Sequence, residues 1–443
     1  MEAENTILEA VKNVLILSYF FPPCNLTAGQ RTYGWAKYFT QFGYYPTVVT
    51  RNWDIEINDR IDLVRSTGDH LRVEKNDSFE VHYLPYRANW RDRLLTQRGR
   101  SKMVLLFGKF LTLLELVLQN FTSRVVPFNE ILTHADGLIA NRNFDAIVVT
   151  GNPFILFQFA DKLSRKHNIP WIADYRDDWN TGEVSYPKTW IEKQLKKLEG
   201  LSEKRWLRSS SAFTTISPHY RDKIAAFIGK KGYVILNGFF SDDFIGIEPN
   251  QTEDLFILQY NGTLYPKQDV EGLCRAFKRL IKENNFDKRI QLRFLGLGFD
   301  PFQTKRVQDQ LEGYESFFEI TLRMPRKILL EQEVNADVLI MLSHAGLKGV
   351  PSSKLYEYLA VGRPIIAFPN DQDIIESTIR DYKLGRVADN ENELLRHFQD
   401  VFDAWKERRT EGDVDESYVA QFTRDKQTGK LGELLDQITS RYV

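Results

Sequence analysis

Cysteine is scarce in this chain, which contains only Cys24 and Cys274 among 443 residues. The two lie far apart, with no Cys-x-x-Cys spacing and no histidine pairing nearby, so the sequence predicts neither a disulfide framework nor a zinc site. Both are expected to be small buried side chains. An excess of one charge is also lacking, since 59 basic and 60 acidic residues leave a formal net charge of -1. That balance argues against a nucleic-acid partner.

An apolar run long enough to span a bilayer is missing as well. The stretch from Met103 to Leu118 is interrupted by Lys109 and Glu115, which makes it too short and too polar to cross a membrane. Residues 1–12 are polar and acidic, unlike a secretory signal. We therefore expect a cytoplasmic protein.

The basic residues around the start of this stretch leave two interpretations open. They are Arg91, Arg93, Arg98, Arg100 and Lys102. A basic segment beside an apolar helix is typical of a helix that lies in the surface of an anionic membrane, so residues 91–118 could make peripheral contact with the inner face of a membrane. A core helix with a solvated basic lead-in is commoner, and the sequence favours it.

The sequence also lacks a glycine-rich dinucleotide-binding fingerprint. It does show strands that alternate with helices along the chain. The length of 443 residues, with 42% hydrophobic and 27% charged residues, predicts a soluble globular protein of two to three domains. Strand, loop, helix, strand units recur in both halves, which predicts an α/β protein with parallel sheets. We expect an N-terminal domain over 1–232, a C-terminal domain over 233–415, and a final helix in 416–443 that packs back towards the first domain.

Polar residues follow two strands of the first half. One strand opens onto a Pro-Pro loop that continues to Gly29, and another opens onto Asp174-Tyr175-Arg176-Asp177-Asp178-Trp179. Ligands of parallel sheets bind at the carboxyl ends of strands, so both are candidate site elements. The alternatives are a loop that covers the sheet edge and an Asp–Arg ion pair that braces it.

The first candidate in the second half is a turn between a strand and a helix. Gly262 allows close approach of the backbone, and Lys267 supplies a positive charge before a helix. Together they suit a diphosphate. Glycine at such a turn is also ordinary turn chemistry.

The second candidate is the start of a short helix that ends at Gly362. Ser352, Ser353 and Lys354 begin this helix, and unpaired amides at a helix N-terminus make a plausible phosphate cradle. Glu357, about one turn further on, could accept hydrogen bonds from a ribose. Spacing alone favours a simpler interpretation, in which a serine caps the helix and Glu357 is a surface charge.

These features together resemble the GT-B glycosyltransferases, specifically glycosyltransferase family 4. The resemblance covers nearly the whole chain. Its most specific segment is Ser353 to Pro364, because family members carry a similar Lys-Leu-x-Glu-Tyr-Leu-Ala-x-Gly-x-Pro run. The Arg-Asp-x-Trp element from Arg176 to Trp179 is similar to a motif of one subgroup. Residues 21–31 and 260–265 carry the rest.

The resemblance implies two Rossmann-like, doubly wound domains that face each other across a cleft. It implies a nucleoside-diphosphate sugar held mainly by the C-terminal domain and a glycan or lipid-linked acceptor held mainly by the N-terminal one. Transfer would retain the configuration at the anomeric carbon and would serve polysaccharide biosynthesis. No metal and no cofactor beyond the donor would be needed.

The resemblance also assigns roles to residues of the donor site. Glu357 would bind the ribose, backbone amides of Ser353, Lys354 and Leu355 would hold the diphosphate, and Lys267 would help. The Gly262-Thr263 turn belongs to the same diphosphate site. The Gly29 loop would close over the phosphates, and residues 323–326, which include Arg326, would flank the base.

The expected chemistry is a front-face transfer in which the leaving phosphate helps to deprotonate the acceptor, because charge develops on phosphate oxygens. Asp177 is the candidate for contacting the acceptor hydroxyl, and Arg176 and Lys267 are the other catalytic candidates. His219 and His344 are weaker ones, since a lone histidine is more often structural. A double displacement would need a carboxylate nucleophile, and none is evident.

Two departures from the family pattern support different hypotheses. Gly349 stands where the first glutamate of the family's Glu-x7-Glu motif should fall, and Thr263 replaces an arginine that often follows the glycine of the diphosphate loop. Both favour a non-catalytic relative that binds nucleotide or partners an active transferase. An epimerase or phosphorylase of the same fold is a third hypothesis.

Overall fold

The structure, a computed structural model, describes residues 11–57, 60–96, 101–182, 189–250, 255–284, 289–344, 346–350, 352–407 and 414–440. Arg98, Arg100 and Pro351 lie outside these ranges, as does the leader before residue 11. The chain divides into two compact units, Met1–Leu236 with Arg424–Val443, and Asn237–Thr423. The boundaries drawn from the sequence, 232 and 415, fall slightly earlier in the chain.

The strands and helices of the first unit follow one another along the chain. Its strands are β1 Lys12–Leu17, β2 Tyr44–Arg51, β3 Arg72–Lys75, β4 Glu80–Leu84, β5 Ala146–Thr150, β6 Trp171–Tyr175, β7 Ala212–Thr215 and β8 Gly232–Val234. Its first helices are α1 Ala28–Tyr38, α2 Trp90–Thr96, α3 Lys102–Leu118, α4 Glu130–Asn141, α5 Leu156–His167, α6 Trp190–Trp206 and α7 Pro218–Ile228.

The second unit has the same kind of succession. Its strands are β9 Phe256–Asn261, β10 Ile290–Leu295, β11 Phe318–Ile320, β12 Val338–Leu342, β13 Ile365–Phe368 and β14 Gly385–Val387. Its helices are α8 Val270–Asn284, α9 Pro301–Gln310, α10 Arg326–Val334, α11 Ser353–Val361, α12 Ile374–Asp381, α13 Glu391–Lys406 and α14 Glu416–Ala420. The last helix, α15 Arg424–Thr439, belongs to the first unit.

The first unit is built on one sheet with the strand order β3-β4-β2-β1-β5-β6-β7-β8. Every pair in it is parallel except the edge pair β3 and β4. The chain moves outward from β1 through β2 and β4, and then resumes at β5 on the other side of β1. The switch point of this doubly wound sheet therefore lies between β1 and β5.

Helix α15 completes the core of the first unit. Leu431, Leu434 and Leu435 are buried against the same cluster as Val14 and Ile16 of β1. At its far end, Asp436 accepts hydrogen bonds from Lys12 Nζ and Tyr44 Oη, each at 2.7 Å. The two ends of the chain thus share one hydrophobic core.

The second unit has a parallel sheet with the order β11-β10-β9-β12-β13-β14. This is again a doubly wound sheet, and its switch point lies between β9 and β12. One face of the sheet packs on α8, whose Leu273, Phe277 and Leu280 are fully buried. The predicted α/β architecture of two doubly wound domains is confirmed.

Helix α3 contradicts the expectation of a core helix. Of its seventeen residues, only Gly108 is buried. Within the described part of the chain, no helix combines the length and apolar character needed to cross a membrane. Cys24 and Cys274 are both buried and unbridged, as predicted.

Candidate functional site

The candidate site of the second unit lies at its switch point, beside the carboxyl end of β9. Gly262 follows the last residue of β9 and adopts a φ of +76°, a conformation that favours glycine. A Cβ at this position would lie 3.3 Å from Lys354 Cε. The turn after β9 and the start of α11 are therefore in contact, as a shared ligand site requires.

A serine caps the start of α11, as the simpler interpretation of the sequence predicted. Ser352 is the N-cap, and its hydroxyl oxygen accepts a hydrogen bond from the Lys354 amide at 3.3 Å. The Leu355 amide donates to the Ser352 carbonyl at 3.1 Å. The amides of Lys354 and Leu355 are two of the three that were expected to hold a diphosphate, and both already donate hydrogen bonds to Ser352. An anion bound at this helix start would share these two amides with Ser352.

The side chain of Lys354 connects α11 to the turn after β9. Its Nζ donates to Tyr260 Oη at 3.1 Å and to the Thr263 carbonyl at 3.4 Å, and it lies 4.3 Å from the centre of the Tyr260 ring. Burial lowers the pKa of Lys354 to about 8 against the opposing effect of nearby carboxylates. This arrangement holds a cation beside a helix N-terminus, where an anion binds most readily.

The loop after Gly262 is held by Gln268, a residue that the sequence did not single out. The buried Gln268 side chain accepts from the Tyr265 amide at 2.9 Å and donates to the Leu342 carbonyl at 2.6 Å. It thereby ties the loop to the ends of β9 and β12. Lys267, the predicted helper, is exposed on this loop.

Glu357 takes part in a chain of charges. Its Oε2 lies 2.7 Å from Arg326 Nη1, and Arg326 Nε donates to Asp243 Oδ2 at 2.7 Å. The Glu357 side chain is only 14% exposed. The simpler expectation of a solvated surface carboxylate is therefore wrong, because this group is largely buried and paired. Arg326, which the resemblance places near the base, is thus in contact with Glu357.

A second carboxyl group, Glu333 of α10, lies behind Glu357. Glu333 is fully buried, accepts a hydrogen bond from Asn261 Nδ2 and is hydrogen-bonded to Glu357. Burial first, and then the charge of Glu357, raises the pKa of Glu333 well above its usual range. A raised pKa favours the protonated form of Glu333, which is the form that can donate a hydrogen bond to the Glu357 carboxylate.

Sequence reasoning missed both Glu333 and the polar face of β9 in front of it. Gln259 and Asn261 alternate along β9 and so share one face. Gln259 is fully buried, and neither end of its amide has a hydrogen-bond partner among the described residues. The available signal was a pair of polar residues two positions apart, Gln259 and Asn261, in a strand that is otherwise mostly apolar.

In the first unit, Asp174 proves to be a structural residue. Arg31 of α1 forms a buried ion pair with it, Nη2 to Oδ1 at 2.7 Å, with side chains 2% and 0% exposed. Thr150 and Thr214, on the strands at either side, also donate to its carboxylate. The bracing ion pair that the sequence left open is thus present, with Arg31 rather than Arg176 as the partner.

Arg176 and Asp177 lie beyond this brace and pair with each other. Arg176 Nη2 is 2.8 Å from Asp177 Oδ2, and the two side chains are 17% and 51% exposed. The guanidinium also lies 5.7 Å from the centre of the Phe20 ring. Gly29, in the first turn of α1, packs so closely on Phe21 that a Cβ would lie 3.3 Å from its backbone.

Two further acids lie near Trp179, and one of them, Glu203, escaped the sequence analysis. Asp178, part of the predicted site element, has a buried carboxylate oxygen without a partner among the described residues, and burial raises its pKa. Glu203 of α6 accepts from Tyr175 Oη and Asn180 Nδ2, each at 2.7 Å. Burial raises the pKa of Glu203 to about 7.

The structure therefore brings the predicted donor residues together, apart from Gly29, inside the second unit. Gly262, Thr263, Lys354 and Glu357 lie around one strand end, and Ser353 and Leu355 belong to the same helix start. His344 stands nearby, its ring centre 5.4 Å from that of Tyr265, and burial lowers its pKa. Asp177, Arg176 and Gly29 belong to the first unit, and His219 lies in the first turn of α7.

Among the described residues, no group of three or more His, Cys, Asp or Glu side chains could hold a metal ion.

The two doubly wound units define the GT-B class of fold. A sucrose-phosphate synthase from Thermosynechococcus elongatus matches with a TM-score of 0.66 at 15% identity, over 97% of this chain and 100% of that chain. The trehalose-6-phosphate synthase OtsA matches with a TM-score of 0.61 at 11% identity, over 98% and 100%. A glycosyltransferase from Rickettsia africae matches with a TM-score of 0.58 at 12% identity, over 96% and 98%.

These similarities establish the fold. No protein-family model matches the sequence, and no curated protein matches it either. The narrower assignment to glycosyltransferase family 4 and its Arg-Asp-x-Trp subgroup stays a prediction.

Proposed function

We propose that the protein is a retaining glycosyltransferase that moves a sugar from a nucleoside-diphosphate sugar to a glycan or lipid-linked acceptor in polysaccharide biosynthesis. The proposal includes a cytoplasmic location at the inner face of a membrane and a reaction that needs neither a metal nor a further cofactor. Asp177 and Arg176 are proposed to contact the acceptor, and Lys267 is proposed to assist at the diphosphate.

One observation carries this proposal. The turn at Gly262, the N-terminus of α11 and the ammonium group of Lys354 meet at the switch point of a doubly wound sheet, and Glu357 lies one turn further along the helix. Amides and a cation at such a point suit a diphosphate, and a carboxylate beside it suits a ribose.

The proposed chemistry depends on stabilising the leaving group. Breaking the sugar–phosphate bond leaves negative charge on phosphate oxygens, which preorganised amides and Lys354 would stabilise. One structural neighbour is described as an α,α-trehalose-phosphate synthase that forms UDP. A uridine-diphosphate sugar is therefore the first donor to test.

The conformation of Gly349 supports a second candidate function, a non-catalytic relative that binds nucleotide. Gly349 occupies the place of the missing glutamate and has a φ of +72°, which most other residues avoid. The chain before α11 is thus shaped around glycine, and the contact to the sugar that the first glutamate would make is lost.

The experiment is a thermal-shift screen with uridine, guanosine and adenosine diphosphates and their sugars, followed by turnover assays. A ligand that binds the folded state raises the melting temperature by mass action. Glu357→Ala should weaken donor binding about tenfold, as expected for the loss of hydrogen bonds to a charged group. Glu312→Ala, at an exposed position of the same unit, is the matched control.

The outcomes separate the hypotheses. Donor consumption that requires an acceptor supports the transferase. Nucleotide binding without consumption with any acceptor tested supports the non-catalytic relative. Release of nucleoside diphosphate without an acceptor, or dependence on inorganic phosphate, indicates an epimerase or phosphorylase. No thermal shift with any nucleotide contradicts the site itself.

A further inference from the structure

The outward face of helix α3 carries a continuous apolar stripe. Large side chains recur along it every three or four residues, which places them on one face of the helix. They are Met103, 81% exposed, Leu106, 70%, Phe107, 50%, Phe110, 57%, Leu114, 41%, and Leu118, 36%. Phe121, 64% exposed, continues the stripe beyond the helix end. An exposed apolar surface of this extent marks an interaction site.

The acidic residues of this region are turned away from the stripe. Asp92 is the one acidic residue of α2, and Glu115 is the one of α3. Arg91 pairs with both, Nη2 to Asp92 Oδ1 at 2.6 Å and Nη1 to Glu115 Oε1 at 2.7 Å. The carboxylate side chains are 0% and 13% exposed. Both carboxylates of the two helices are thus largely buried and paired with the same arginine.

The exposed charges of the same two helices are all positive. Arg93, Lys102 and Lys109 are exposed, and no carboxylate of α2 or α3 is. Lys102 and Lys109 are seven residues apart, so they lie on the same side of the helix. An apolar stripe edged by cations is the combination that lies in the surface of an anionic bilayer.

We propose that α3 lies in the plane of an anionic lipid surface, with the stripe at the boundary between headgroups and acyl chains and with Lys102 and Lys109 at the lipid phosphates. A helix of seventeen residues is about 25 Å long and so does not span the apolar layer of about 30 Å. Pairing with a second copy through the same face is disfavoured, because it would bring the cations of two copies together without an exposed carboxylate from these helices. This surface does not depend on the proposed glycosyl transfer.

Flotation of the full-length protein with vesicles tests the proposal. Protein should float with vesicles of phosphatidylcholine and phosphatidylglycerol and remain behind with phosphatidylcholine alone. Phe107→Asp with Phe110→Asp should reduce binding by more than about a hundredfold. Lys102→Gln with Lys109→Gln should reduce it by about thirtyfold, since each lysine contributes to attraction by the anionic surface.

The matched control is Phe302→Asp. Phe302 is 73% exposed and belongs to the second unit, so its substitution should leave vesicle binding unchanged. All the substituted side chains are exposed, and the circular dichroism and melting temperature of each variant should therefore match those of the wild type.

A fluorescent label provides a second measurement that needs no loss of binding. Both native cysteines are buried, and burial raises the pKa of Cys24 to about 11 and that of Cys274 to about 12. A maleimide dye should therefore label Leu106→Cys selectively. Its emission should shift to the blue on adding anionic vesicles, and the same dye on Phe302→Cys should not respond.

Three results would overturn the proposal. One is wild-type protein that stays unbound with anionic vesicles at low salt. Another is equal binding to vesicles without an anionic lipid. The third is a dimer in sedimentation that dissociates on Phe107→Asp with Phe110→Asp while vesicle binding is absent, because that result would assign the stripe to a second copy.

Discussion

The properties of Lys354 come from packing rather than from its place in the sequence. It is one of three polar residues at a helix start. In the folded unit its ammonium group is held between Tyr260 and the Thr263 carbonyl, and burial lowers its pKa to about 8. The positive charge is therefore present at neutral pH and is lost in mildly alkaline solution.

Lys354→Met should weaken the binding of uridine diphosphate by about thirtyfold, the effect of losing a hydrogen bond to a charged group worth about 2 kcal/mol. Wild-type affinity should fall as the pH rises through about 8, because the ammonium form binds the phosphates. Isothermal calorimetry measures both effects. Lys305→Met, at an exposed lysine of the same unit, is the control. Equal affinities of Lys354→Met and wild type would contradict the assignment.

Glu333 lies fully buried beside the Glu357 carboxylate, and its burial favours the protonated form. The folded state raises the pKa of Glu333 well above 4.5. The stability that comes from its protonated form is therefore complete below the unfolded-state pKa and declines as the pH rises through the raised folded-state pKa. The unfolding free energy of the wild type should thus fall as the pH rises from about 4.5 towards the raised folded-state pKa, and level off above it.

Glu333→Gln should flatten this decline, because an amide can accept from Asn261 and donate to Glu357 without titrating. Glu333→Ala should lower the unfolding free energy by about 2 kcal/mol at neutral pH, since it leaves buried polar groups unpaired. Urea unfolding over a pH series measures both. Glu312→Gln, at an exposed glutamate, should leave the wild-type profile intact. Parallel profiles for wild type and Glu333→Gln would show that the proton is not on Glu333.

The segment before α11 determines which side chains can stand next to the start of that helix. Gly346 and Gly349 both have positive φ, +71° and +72°. The family pattern places a glutamate at position 349, and here the backbone conformation works against a side chain. The glycine at position 349 therefore fits the local backbone conformation, which a glutamate would strain.

Gly349→Glu should lower the unfolding free energy by about 1 to 2 kcal/mol and should not raise turnover, because a left-handed conformation strains residues with a Cβ. Gly137→Glu is the matched control. Gly137 lies within α4 with open space around it, so a glutamate there should be neutral or stabilising. A gain of activity in Gly349→Glu without loss of stability would refute this account.

Across the whole molecule, the first unit is discontinuous in sequence. Helix α15 returns to it after the entire second unit, and Leu435 is fully buried in its core. The unit that carries Arg176 and Asp177 therefore depends on the last helix of the chain for part of its stability.

Leu435→Ala should lower the unfolding free energy by about 3 kcal/mol, the usual effect of a large-to-small substitution in a core. Leu201→Ala, at a position 69% exposed in the same unit, should change it by less than about 0.5 kcal/mol. Chemical unfolding followed by circular dichroism compares the two. Equal effects would show that α15 is not part of the core of the first unit.

The sequence by itself determined the α/β architecture, and it predicted where the candidate donor site lies. Apolar strands that alternate with amphipathic helices predict parallel sheets with crossovers, and polar residues after such strands are expected at the edge where ligands bind. Edge strand β3 gave no such signal, because all four of its residues are exposed and it shows no alternation.

Tertiary structure alone decided which charges meet and which faces are covered. Asp174 pairs with Arg31, 143 positions away, and Glu333 meets Asn261 across 72 positions. In α3, the period of the apolar residues predicted a helix with one apolar face but could not say whether the protein covers that face. Local periodicity reports how a segment folds, whereas pairing and covering depend on which distant segments the crossovers bring alongside it.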